Sequence, residues 1–267
     1  MSHSLRATSA PIFSTANVAF ILTTFVILLT THAVAYLTHE YAHSLAAWLL
    51  GWMDRPFGIE YGSVTLDNVL FLDAVDDNVA YSHIFAAGHG TAASVIALSG
   101  PFIGNGLLYF VLYGIARTAG VRANTVATTF IYWLSLMCAA NVWSYVPLRA
   151  VTTHADIFLA AQGFGVSTLV LFPFVMIPAG YIVIHFFRRM FPLCRSIITS
   201  GDRGKLIVVA ALTSYWFFSF FSGSAADGAY GVVSQVFGMV SKYLLVPLCV
   251  LWLLSTRDDA NNRPAAT

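Results

Sequence analysis

Apolar residues along the chain gather into six long runs, separated by shorter polar stretches. The runs lie at about 17–52, 91–116, 125–147, 166–187, 206–222 and 232–254. A helix that crosses a bilayer needs about 20 predominantly apolar residues, and these runs are near or beyond that length. β-barrel strands would instead alternate apolar and polar positions over segments of about 10 residues. The pattern therefore predicts an all-α membrane protein, a polytopic bundle of about six transmembrane helices. The first run is far longer than the 7–15 apolar residues of a signal-peptide core, so it reads as a retained span. Residues 1–15 and 256–267 are polar and flank a single membrane domain at 16–255.

One connection is long, at 54–86. It carries five of the ten aspartates (Asp54, Asp67, Asp73, Asp76 and Asp77) and Glu60. Residues 57–71 are rich in Ile, Tyr, Val, Thr and Leu, with Asp67-Asn68 as a turn, which predicts a short β-hairpin after the first span.

Composition narrows the class further. Charged residues make up 9% of the chain and hydrophobic residues 58%, against about 25% charged in soluble domains. A soluble surface and disorder are excluded on that count. A net charge of +1 supplies no basic field, so no nucleic-acid partner is expected. Cys138, Cys194 and Cys249 are too scattered for a disulfide framework or a CxxC metal site. With six spans and a cytoplasmic N-terminus, Arg6, Arg117, Arg122, Arg188, Arg189, Arg195, Arg203, Lys205, Arg257 and Arg263 share the cytoplasmic side. Only Arg55 and Arg149 fall outside, and Lys242 lies within a span. The positive-inside rule thus predicts cytoplasmic termini.

The candidate chemistry sits in the first run, as His39-Glu40-Tyr41-Ala42-His43. Residues four apart on a helix differ by about 40° in direction and one turn in height, so the two imidazoles face one point. That spacing suits two neutral nitrogens on one Zn²⁺, with the intervening glutamate as a general base. Only two glutamates exist in the chain, and placing one in a span costs about 2.5 kcal/mol or more. Random placement of this chain's His and Glu would produce the motif roughly once in 500 such sequences. His32, seven residues before His39, shares its face; it either lines the cavity as a supporting group or packs through a hydrogen bond. Asn105 and Asn141 are costly in lipid and should face protein or water.

His39-Glu40-Tyr41-Ala42-His43 followed by Ala46 and Gly51 resembles the HExxHxxxAxxxG pattern of the site-2 protease family of intramembrane zinc metalloproteases. Gly100-Pro101-Phe102-Ile103-Gly104-Asn105 is similar to that family's GPxxxN segment. Asn141, Pro147 and Asp156 follow in the family's order of an Asn, a Pro and a third ligand. The family's aspartate usually sits in an LDG tripeptide close to the Asn and Pro. Here 15 positions separate Asn141 from Asp156 and no glycine follows. The resemblance, which covers about 38–158, implies Zn²⁺ held by His39, His43 and Asp156, with His154 as a rival third ligand. It also implies Glu40 as the catalytic base, Asn105 and Asn141 on the substrate peptide or its oxyanion, and a membrane-spanning protein as substrate. It implies, too, a hairpin edge that pairs with the substrate and an HExxH end nearer the cytoplasm, opposite to the side the charge count gives. Read without the family, Asp156 is an acid at a helix start, and the two asparagines are interhelical hydrogen-bonding residues. Two other functions stay open: a membrane metal-binding or transport protein, and a catalytically silent homologue that acts as a scaffold. A membrane di-iron enzyme is excluded, because it needs boxes of adjacent histidines and the chain has no His-His pair.

Overall fold

In a computed structural model the structure describes residues 15–256. The polar terminal segments, with Arg6, Arg257 and Arg263, lie outside the described residues. Six helices are long and apolar enough to cross a membrane, namely Val18–Leu49, Gly90–Ala116, Thr125–Tyr145, Thr168–Thr199, Arg203–Ala226 and Val232–Ser255. They are numbered here as spans one to six, and the chain is a multi-pass, all-α membrane protein. The third span is the hub. Its most apolar window is 72% buried, against 17–56% in the others, and Tyr132, Trp133, Leu136 and Met137 fill the centre of the bundle. Leu22, Phe25 and Val26 of the first span and Phe174 and Ile177 of the fourth stay exposed, as lipid-facing positions should.

Three spans contain a wide π-helical stretch, and each stretch meets a proline. Gly100–Leu107 holds Pro101, Phe186–Met190 precedes Pro192, and Val240–Leu245 precedes Pro247. Proline offers no N–H and crowds the carbonyl four residues back, and local widening lets a membrane helix continue past it. The fourth span consequently runs on to Thr199 rather than stopping near 187, and Arg188 and Arg189 ride on the helix rather than in a loop.

The expected β-hairpin is not formed. Among the described residues there is no strand, only a single antiparallel bridge between Glu60 and Asp76. Leu66–Phe71 is a short helix instead: the Thr65 hydroxyl accepts the Asn68 N–H as an N-cap, Asp67 sits in the first turn, and Leu72 ends it in the left-handed region. Asn68 donates to the Tyr61 and Ser63 carbonyls and accepts from the Ala74 N–H. Local capping by Thr65 and Asn68 therefore overrides the strand propensity of the Val, Ile and Tyr around them. The loop is tied along the first span by His32 Nε2 to Phe71 O at 3.0 Å and Tyr36 OH to Val75 O at 3.3 Å.

Candidate metal centre

His39, Glu40 and His43 lie on the inward face of the first span, each 8% exposed or less. Their surroundings come from the second span, which presses against them through glycines. A Cβ on Gly104 would strike the backbone of Thr38 and His39, and one on Gly100 would run into both imidazole Nε2 atoms. Small residues at four-residue spacing allow this close approach of membrane helices.

The third participant arrives from far along the chain. After the third span, Val146–Ala155 is irregular and leads into the short helix Asp156–Gly163. That helix is held to the second span where Gly90 and Gly163 meet backbone to backbone and Ser94 Oγ donates to Ala160 O at 2.7 Å. Ala155 takes φ 75° and ψ 174°, a region reserved in the main for glycine, and so turns Asp156 inward at a conformational cost. Asp156 Oδ2 ends 3.2 Å from His39 Nε2 and 3.2 Å from His43 Nε2, which are 3.1 Å from each other.

The hydrogen bonds behind the imidazoles decide what this triangle can hold. His43 Nδ1 lies 2.7 Å from Ile96 O. A carbonyl only accepts, so the proton is on Nδ1 and the lone pair on Nε2. His39 Nδ1 is 3.0 Å from the Asn105 amide, whose Oδ1 is buried with no partner among the described residues. Turning that amide over brings Oδ1 to the ring, where it accepts Nδ1–H and leaves the His39 Nε2 lone pair free. Asp156 Oδ2 is likewise buried with no hydrogen-bond donor among the described residues. With the amide so turned, three lone pairs face one another, an arrangement that a cation between them satisfies. Ligand atoms about 2.1 Å from one ion at tetrahedral angles stand roughly 3.4 Å apart, close to the spacing found. The donor set of two imidazoles and a carboxylate, with its cradle kept open by the missing side chain of Gly100, fits a divalent transition metal.

Around this triangle the other expected residues sort clearly. Glu40 sits beside it and groups with His43 and Asp77, their ligand atoms within 4.8 Å of one another. Asp77 comes from the long loop, accepts from the Val79 N–H and the Tyr81 hydroxyl, and is pushed by burial above the ordinary carboxylate range. His154 is elsewhere: its ring stacks on Tyr230 at 4.9 Å. Tyr230 also meets the Arg149 guanidinium, which reaches Tyr145, and Tyr145 stacks on His39 at 4.7 Å. His32 is enclosed by Phe71, Trp216, Phe220 and Phe221 and tethers the loop, away from the triangle. Asn141 is buried one turn before Tyr145, its Oδ1 without a partner among the described residues. Tyr145, Asp77 and the cradle role of Gly100 had no local signal in the sequence, since each depends on a contact between distant segments. No family model, curated protein or solved structure matches the chain.

Proposed function

We propose that the protein is an intramembrane zinc metalloprotease that hydrolyses peptide bonds of membrane-spanning substrates. One observation carries this reading: His39 Nε2, His43 Nε2 and Asp156 Oδ2 converge within 3.2 Å beside a buried glutamate. These three atoms would hold Zn²⁺, which when bound would supply Lewis acidity to a scissile carbonyl and lower the pKa of the attacking water. The chain's own residues do the rest. Ile96 O fixes His43 in the tautomer that offers Nε2, Asn105 with its amide turned does the same for His39, and Tyr145 covers the face of His39. Glu40 accepts the proton released as water adds to the carbonyl carbon. It returns that proton to the amide nitrogen as the C–N bond breaks. Glu40 occupies the next position on the helix after a ligand, so base and ligand move as one rigid unit.

Full-length protein reconstituted in vesicles with a single-span substrate tests the reading. Glu40→Gln is expected to retain zinc and lose turnover by at least about 100-fold, the low end of a general-base contribution. Equal cleavage by wild type and Glu40→Gln would overturn it. Zinc in both with cleavage in neither would favour the silent scaffold.

A further inference from the structure

Away from the metal triangle, spans four, five and six enclose a groove of about 430 Å³ that shares no lining residue with it. Its walls are Val183, Ile184, Phe187, Phe218, Leu248 and Trp252, and among the described residues the one charged group in its lining is Arg188. The volume falls within the range of about 300–1,000 Å³ typical of small-ligand sites. Ile184 and Leu248 are more than half exposed, so the groove opens sideways toward lipid.

The levels of its two ends are set by counting. Arg188 is residue 21 of the span that begins at Thr168, and Trp252 is residue 21 of the span that begins at Val232. Those spans are separated by one crossing and so run in the same direction. Twenty steps of helix rise about 30 Å, the thickness of the hydrocarbon layer. Phe187 and Trp252 rings stand 6.0 Å apart, which confirms that the two helices are level there. Counted from Thr168 and Val232, Arg188 and Trp252 thus stand at one level about a hydrocarbon thickness along their spans. We place that level at the head groups, where tryptophan is favoured, with the apolar walls descending into the hydrocarbon. Among the described residues no carboxylate pairs with Arg188; the close nitrogen–carboxylate contacts present all join His39 or His43 to Asp156 or Asp77.

We infer that this groove is a binding site for one anionic phospholipid, its phosphate on the Arg188 guanidinium and an acyl chain along Phe187, Phe218 and Leu248. A cation at the mouth of an apolar groove matches both halves of such a molecule, and basic pockets between membrane helices are suited to anionic head groups. The site is independent of the metal triangle.

Native mass spectrometry of the full chain released from vesicles of phosphatidylcholine and phosphatidylglycerol tests it. Wild type is expected to retain one phosphatidylglycerol with about fivefold preference, the worth of one near-surface cation. Arg188→Gln should remove the preference and Arg188→Lys should restore most of it. Arg189→Gln, next to the groove but outside its lining, should leave it unchanged. Ile184→Trp should narrow the groove and lower retention of both lipids. Equal retention of the two lipids by wild type overturns the assignment. So does an equal loss with Arg189→Gln, which would mark a diffuse basic surface rather than a site.

Discussion

Two hydrogen bonds made on the far side of the imidazoles decide which nitrogens are free to bind a metal. For His43 the partner is a carbonyl, which only accepts, so its tautomer is fixed by Ile96 O at 2.7 Å. For His39 the partner is an amide that offers either a donor or an acceptor, and Asn105→Ala removes it. Partners of this kind are worth 10–100-fold in metal affinity; zinc competition with a chelator should show a loss in that range for Asn105→Ala. Gly100→Ala is expected to be harsher. Its Cβ would lie against both Nε2 atoms, so metal analysis of the purified variant should find zinc reduced at least about tenfold while the protein still inserts. Full zinc in Gly100→Ala would show that the cradle lies elsewhere. The sequence made His39, Glu40 and His43 legible because helical spacing alone brings them to one face. Asp156 was legible only through resemblance, and Gly100 only as part of a motif. No spacing rule says that a glycine on the second span closes on an imidazole of the first.

Elements act at a distance on the same site. The Asp156–Gly163 helix carries the carboxylate that meets both imidazoles at its first residue and its anchor at the last, where Gly163 meets the Gly90 carbonyl. Gly163→Val therefore forces the helix off the second span and draws Asp156 away from the imidazoles. Zinc retention should fall markedly in Gly163→Val although no ligand is altered, whereas Gly165→Ala, with open space around it, should keep its metal. Retained zinc in both would mean that the helix is held by other contacts. The long loop shows where local reading failed. Phe57–Phe71 has the composition of strands, yet Thr65 caps a helix and Asn68 uses three side-chain hydrogen bonds to close a compact turn. Strand propensity describes residues that fit a pleated surface, and this loop has no neighbouring strand to supply one. The same loop delivers Asp77 to the site, a placement that depends on the fold-back.

At the level of the whole molecule the hydrophobic pattern was read correctly in number and order of spans, because apolar length is what a bilayer requires. Span ends were less legible. The fourth span extends beyond its most apolar run, since π-helical widening carries it past Pro192 and an amphipathic turn follows. What the complete bundle achieves is to bring residue 156 to residues 39 and 43 with the second span as a floor. The central claim is that this convergence is one zinc centre. X-ray absorption at the zinc edge, on full-length protein purified without chelators, tests it most directly. The account predicts one zinc per chain bound only by nitrogen and oxygen at about 2.0–2.1 Å, with two imidazoles in wild type and in Glu40→Gln, and a loss of the metal in Asp156→Ala. Absence of stoichiometric zinc, a sulfur ligand, or an unchanged spectrum in Asp156→Ala would contradict it.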